Sequence, residues 1–163
     1  MGIVCGLVAL GKDQIDKALA DPENVFHYLD EFYENKEVEG VGLDKAWHGI
    51  HFLLTGSAWE GEEPLCYLVK GGELVGQEGD DARVLRPDQI ADWANALSTI
   101  SADDLRKRYD PAAMKKADIY AMICDRVDEE PGNLEYMLPY YEDLCSFLEK
   151  TKKENKWAIV SIA

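Results

Sequence analysis

The chain has 163 residues, of which 47% are hydrophobic and 30% charged, and its formal net charge is −15. Because so much negative charge repels phosphate, we expect neither a nucleic acid nor an anionic membrane as a partner. The apolar N-terminal stretch is too short to cross a bilayer, and no basic residues precede it. These features predict a cytoplasmic protein without a signal peptide.

The negative charge is concentrated in the first part of the chain. Residues 1–100 contain 7 basic and 19 acidic side chains, a net charge of −12, whereas residues 101–163 have a net charge of −3. Solubility alone explains such an acidic surface, and the functional alternative is a basic protein partner. The composition leaves the oligomeric state open.

The four cysteines, Cys5, Cys66, Cys124 and Cys145, each lie in an apolar run. None of them forms a C-x-x-C pair or another spacing typical of metal ligands. We therefore expect buried, reduced thiols, which are typical of the cytosol.

The first elements along the chain are a strand and two helices. Residues 3–10 form a continuous apolar run rich in β-branched side chains, which predicts a central strand buried on both faces. Asp13 predicts the start of a short helix, and Asp21 followed by proline predicts a second helix start. Residues 34–42 are acidic and contain glycine, so we interpret them as a loop.

A central helix follows this predicted loop. Asp44 has the side chain of a good N-cap residue, and Gly56 is a good residue to end a helix in the left-handed conformation. Within residues 43–56 the apolar side chains share one arc of the helix, which predicts the most buried helix of the fold.

The second half of the chain is mainly helical. Residues 73–76 and 82–85 form a short hairpin in this interpretation. Helices are predicted from Pro87, from Ser101 and from Asp110, the last continuing to Met122.

The remaining elements are a long helix and a terminal strand. The helix is predicted over residues 133–153, where Pro139 marks either a kink or the first turn. Residues 157–163 form a β-branched strand, which we expect beside the N-terminal strand. These elements predict one α+β domain spanning residues 1–163, with a small mixed sheet and about six helices.

Four polar side chains of the central helix form the best candidate site. At 100° per residue they share a narrow stripe, apart from the apolar arc. The members of this polar stripe are Asp44, His48, His51 and Thr55.

The polar stripe allows three interpretations. His48 and His51 are potential metal ligands, but no third or fourth ligand follows at a suitable spacing, so we expect neither a metal nor a cofactor here. Asp44 could instead orient His48 for acid–base chemistry on a substrate near His51. The structural interpretation is that both imidazoles are buried and hydrogen-bonded to main-chain carbonyls.

Three aromatic residues lie on or near this helix. Trp47 and Phe52 flank the polar stripe, and core packing is the commoner role of such rings. Trp59 lies among Glu60, Glu62 and Glu63 in the stretch 57–64, where it either packs against the body of the protein or contacts a partner. Packing is the interpretation that we favour for Trp59, because burying an indole removes much apolar area from water.

The central helix also carries a family resemblance. The Trp47-His48 pair and the ending His51-Phe52-Leu53-Leu54-Thr55-Gly56 resemble the hallmark of the YfbM-like family of small bacterial proteins. The resemblance extends over nearly the whole chain. It implies a single α+β domain, and it implies no catalytic residue.

Two functions remain open from the sequence. The first is a non-enzymatic acidic module that binds a partner protein, with a basic protein as one candidate, and the net charge of the first hundred residues favours it. The alternative is an enzyme or small-ligand binder that uses Asp44, His48 and His51, which requires the polar stripe to open into a pocket.

Overall fold

The computed structural model describes residues 2–77, 81–120 and 130–163. Five strands occur in these ranges: β1 (Cys5–Leu10), β2 (Glu39–Asp44), β3 (Glu73–Leu74), β4 (Asp81–Leu85) and β5 (Trp157–Ile162). The α-helices of the same ranges are α1 (Lys12–Ala20), α2 (Val25–Glu34), α3 (Trp47–Thr55), α4 (Pro87–Leu97), α5 (Ala102–Arg108), α6 (Pro111–Lys116) and α7 (Glu130–Lys153), and a 3₁₀ turn covers Pro22–Asn24. The predicted α+β class is confirmed.

The five strands form one sheet in the order β2-β1-β5-β4-β3. The predicted neighbourhood of the terminal strands is confirmed, since β1 pairs with β5 from Cys5 opposite Ile162 to Leu10 opposite Trp157. The predicted mixed strand direction is wrong, because each pair of neighbouring described strands is antiparallel. Between β1 and β2 the chain passes through α1 and α2, the two helices predicted there, and it enters β2 in the direction opposite to β1.

Helices cover both faces of the sheet. Along β1, Leu7 belongs to a core shared with α3, α4 and α7, and Val8 belongs to a second core shared with α1 and α2. The prediction that residues 3–10 supply a strand buried on both faces is confirmed for Leu7 to Leu10, which are at most 6% exposed.

The predicted loop at residues 34–42 is wrong over its second half, where β2 begins at Glu39. This strand lies at the edge of the sheet, so its exposed positions lack the apolar alternation of a buried strand. Gly40 also weakens the strand pattern, and its missing side chain leaves room for the Tyr33 hydroxyl.

The start of the central helix also differs from the prediction. Asp44 ends β2 with φ of 47°, in the left-handed region, and Ala46 precedes the first helical residue, Trp47. Asp44 is therefore no helix cap, and the prediction that it lies on the same helical stripe as His48 is wrong. The predicted helix end is confirmed, because Gly56 adopts φ of 77° and its N–H donates to the Phe52 carbonyl.

The other helix starts agree well with the sequence pattern. Pro87 begins α4, Ser101 and Asp104 form a reciprocal capping box on α5, and Asp110 caps α6. Helix α6 ends at Lys116, before the predicted end; Met122 lies outside the described residues. Pro139 lies inside α7.

Candidate functional site

Helix α3 is the most enclosed part of the candidate site. Seven of its nine residues are buried: Trp47, His48, Gly49, Ile50, His51, Leu53 and Leu54. Both histidines have 0% of their surface exposed. The structure therefore encloses the imidazoles of the polar stripe within the protein.

His48 uses both ring nitrogens in hydrogen bonds to main-chain groups. Its Nδ1 accepts the N–H of Tyr120 at 2.7 Å, and its Nε2 lies 2.8 Å from the carbonyl oxygen of Ala58. An N–H only donates and a carbonyl only accepts, so the proton of the neutral ring must be on Nε2. Burial lowers the pKa of His48, and the Ala58 carbonyl opposes this shift only partly. His48 is thus a neutral link between α3 and two other segments.

His51 is only half satisfied. Its Nε2 lies 3.3 Å from the Thr55 hydroxyl, which is also 2.9 Å from the carbonyl oxygen of His51 itself. Its Nδ1 is buried without a hydrogen-bond partner. Burial lowers the pKa of His51 to about 4, although the nearby main chain of Glu60 acts in the opposite direction. His51 is therefore neutral at pH 7.

Asp44 has its own partner, away from the histidines. The Tyr136 hydroxyl donates to its carboxylate, and the same hydroxyl accepts the N–H of Lys45 at 3.3 Å. Burial, followed by the bond to Asp44, raises the pKa of Tyr136. The structure thus brings Asp44 to α7, whereas it joins His48 to Ala58 and Tyr120.

Trp47 and Phe52 both pack against the core on the side of α3. Trp47 is 2% exposed, and its indole N–H donates to the Ile3 carbonyl at 3.0 Å. Phe52 is partly buried against the same core. Trp47 also stacks on the His48 ring at 4.9 Å between centroids, which fixes the orientation of both rings.

Trp59 is packed on one side and open on the other. Its ring lies 4.4 Å from the His48 ring and 6.0 Å from the Trp47 ring, between centroids. Its exposed fraction is nevertheless 56%. Packing and solvent exposure thus coexist at this indole.

The stretch Ser57–Pro64, called the acidic loop below, is tied to α3 close to Trp59. His48 holds the Ala58 carbonyl, and the Thr55 hydroxyl oxygen accepts the N–H of Ser57 at 3.2 Å. Ser57 in turn accepts the N–H of Glu60 through its hydroxyl at 3.1 Å. His48 and Thr55 therefore position the main chain that precedes Trp59, and the Ser57 hydroxyl positions the main chain that follows it.

Arg83 supports the segment that follows the acidic loop. Its side chain is almost fully buried, and its guanidinium donates to the carbonyls of Tyr67, Leu68 and Gly71 at 2.8 to 3.1 Å. Burial lowers its pKa, and Asp81 opposes that shift. Arg83 is not among the residues predicted from the sequence, where its one signal is a charged side chain within the otherwise apolar stretch 82–85.

The described residues contain no group of three or more His, Cys, Asp or Glu side chains that could hold a metal ion. Of the cysteines, Cys5, Cys66 and Cys145 are free thiols, and Cys124 lies outside the described residues. Burial raises the pKa of Cys5 to about 12, so this thiol stays protonated.

No helix within the described ranges is both long and apolar enough to cross a membrane.

The sequence matches the family described as "Domain of unknown function (DUF1877)" over residues 1–161. The chain belongs to this family. The crystal structure of YfbM from Escherichia coli, a protein of unknown function, is similar with a TM-score of 0.78 and 18% identity. The match covers 98% of this chain and 99% of YfbM, so the YfbM-like resemblance is confirmed, and at this identity the structural similarity shows the fold alone. No curated protein matches the chain.

Proposed function

We propose that this member of the DUF1877 family is a non-enzymatic binding module whose acidic loop binds a basic segment of another protein. The observation that carries the proposal is Trp59, an indole 56% exposed on a stretch whose carboxylates, Glu60, Glu62 and Glu63, are also exposed. An aromatic ring with an open face beside negative charge suits a lysine or arginine side chain, which binds the ring through its cation and the carboxylates through charge.

The support beneath Trp59 favours binding. His48 is buried, holds both of its hydrogen bonds and packs against the ring of Trp59. Immobilising a flexible side chain on association costs free energy. Because packing already fixes the ring of Trp59, binding through this ring costs less conformational entropy. Tryptophan and tyrosine are enriched among the residues that dominate protein–protein interfaces for this reason and for their large area.

The charge around Trp59 supports a cationic partner. Lys70 pairs with Glu60 at 2.7 Å, and Tyr67 donates to Glu63 at 3.2 Å. Glu62 has no ion pair with any other described residue, so its charge is available to a partner. The net charge of −15 attracts a basic protein from a distance, an effect that salt screens.

The acid–base alternative finds less support in the geometry. A catalytic base must come within hydrogen-bond reach of a substrate proton, and neither His48 nor His51 has exposed surface. Asp44, the third member of that hypothesis, bonds to Tyr136. In this proposal His48 supports the acidic loop through Ala58, and the protein acts in the cytoplasm.

The proposal can be tested with a blocked peptide of alternating lysine and proline, titrated into the protein by calorimetry. Proline lacks the N–H that a strand needs, so this peptide measures recognition of charge and aromatic surface alone. We expect saturable binding that weakens by about tenfold between low and physiological salt, because exposed charges carry it. The corresponding glutamate–proline peptide should not bind.

Matched variants locate the binding surface. Trp59→Ala and Glu62→Lys should each weaken binding by about fivefold or more. Trp157→Phe changes a partly buried indole elsewhere, and Glu34→Lys makes the same charge change on α2, on the other face of the sheet. Equal weakening by Glu62→Lys and Glu34→Lys, with no effect of Trp59→Ala, would mean that only net charge is sensed and would refute the proposal.

A further inference from the structure

Strand β2 is a long open edge of the sheet. It spans six residues, Glu39–Asp44, and β1 is its one strand partner in the described part of the chain. Alternate residues of such a strand direct their main-chain N–H and C=O groups outward, where another strand can pair with them. The opposite edge strand, β3, has only two residues.

A groove of about 450 Å³ runs beside this edge, between β2 and α7. Residues 39–42 form one wall, and the other wall is a single stripe of α7 at spacings of three and four residues: Asp143, Ser146, Phe147 and Lys150. A second depression of about 480 Å³ shares Gly42, includes Asp44 and Tyr140, and extends across the end of the sheet to residues 4–6, Ser161 and Ala163. The two together are called the β2 trough below, and the strand that lines it, residues 39–44, is about 20 Å long when extended.

The charges of the β2 trough favour a basic occupant. Lys150 is its one basic side chain, and it pairs with Glu39 at 2.6 Å. Asp143 is exposed on the other wall and forms no ion pair with the described residues. The groove therefore retains uncompensated negative charge at its centre.

A second copy of this chain is a poor occupant of the same edge. If two β2 strands paired antiparallel about their centres, Glu39 of one copy would face Asp44 of the other. Like charges directly opposite each other destabilise a strand pair, and each copy also carries a net charge of −15. An extended segment with lysine or arginine avoids both costs.

We infer that the β2 trough binds an extended basic segment of another protein by adding it as a strand to the edge of the sheet. Main-chain hydrogen bonds to β2 hold the segment, Phe147 and Tyr140 contact its apolar side chains, and Asp143 contacts a basic one. This surface is distinct from the acidic loop, and the inference does not rest on the function proposed above.

The test uses a blocked hexapeptide of alternating valine and lysine, with a second version in which alternate amides are N-methylated. Binding is measured by fluorescence anisotropy, and amide hydrogen exchange is followed by NMR. The unmethylated peptide should slow exchange within residues 39–44 and bind at least about tenfold more tightly than the methylated one, which cannot complete the strand pairing. Equal binding of the two peptides, or protection elsewhere in the sheet, overturns the inference.

Three protein variants make the test specific to the trough. Gly42→Val should fold, because a Cβ at this position meets nothing within 4 Å and valine suits a strand, and it should weaken binding by filling the junction of the two depressions. Asp143→Lys should weaken binding by about fivefold or more, whereas Glu142→Lys, an exposed neighbour outside the groove, should change it less than about twofold. Equal effects of these two charge reversals overturn the inference.

Trp59→Ala separates this inference from the function proposed above. It should leave hexapeptide binding unchanged, because Trp59 is not among the residues of either depression. Loss of hexapeptide binding in Trp59→Ala would place the peptide on the acidic loop instead and overturn the strand-addition inference, while supporting the acidic loop as a binding surface.

Discussion

His48 and His51 lie one turn apart on the same helix, with equal exclusion from solvent, and yet their surroundings give them different roles. His48 has two main-chain partners, contributed by Ala58 and Tyr120. His51 has one weak contact, with Thr55, and a buried nitrogen without a partner. The comparison teaches that burial does not determine what a histidine contributes, because a satisfied ring stabilises the fold whereas an unsatisfied one costs desolvation.

The largest expected effect comes from removing the satisfied ring. His48→Ala leaves the Tyr120 N–H and the Ala58 carbonyl unpaired and opens a cavity beneath Trp59, so the free energy of unfolding should fall by about 4 kcal/mol. Urea unfolding at pH 7, followed by circular dichroism, measures it. A loss below about 1 kcal/mol would show that the two hydrogen bonds contribute little, and the contrast between the histidines would disappear.

The second effect is a dependence of stability on pH that His51 should cause. Its pKa is about 4 in the folded protein and 6.5 in an unfolded chain, so between these pH values the unfolded state binds the proton and the folded state does not. Stability should therefore fall as pH decreases from 6.5 to 4, by on the order of 3 kcal/mol from His51 alone.

The variant His51→Leu isolates this contribution, because carboxylates also lose their interactions in acid. Urea unfolding of both proteins at pH 7, 6, 5 and 4 should give a shallower decline for the variant. Parallel declines would mean that His51 keeps an ordinary pKa in the folded protein.

The smallest effect concerns His51 at neutral pH. Replacing its unpartnered ring with leucine removes a desolvated nitrogen and retains apolar volume, so His51→Leu should change the free energy of unfolding by less than about 1 kcal/mol at pH 7. The Thr55 hydroxyl keeps its contact with the main-chain carbonyl of residue 51. Calorimetric unfolding measures this change. A loss of unfolding free energy as large as that of His48→Ala would mean that His51 Nδ1 has a hydrogen-bond partner.

The sequence predicted those features of the site that depend on local order along the chain. The apolar arc of α3 and the end at Gly56 follow from helical periodicity and from the conformational freedom of glycine. The partners of His48 could not be predicted in this way, because Tyr120 lies 72 residues further along the chain. Only the completed fold brings such groups together.

The sequence pattern failed at β2 and at Asp44 for identifiable reasons. An edge strand with glycine at Gly40 and Gly42 has neither the apolar alternation nor the β-branched residues from which strands are predicted. Asp44 resembles a helix cap in sequence, but its left-handed conformation places it at the end of the strand. The acidic loop was predictable only in part. Its charge is evident from the sequence, whereas the exposed face of Trp59 depends on the packing beneath the ring.

The position of β5 has a consequence for biosynthesis. This strand is the centre of the sheet, between β1 and β4, and the ribosome makes it after the four other described strands. Until residues 157–162 emerge, the β1–β2 pair and the β3–β4 hairpin have no strand that joins them, and the inward sides of β1 and β4 are additional open edges. The nascent chain therefore completes this sheet only once residues 157–162 have emerged, which makes the insertion of β5 the step that chaperones would protect.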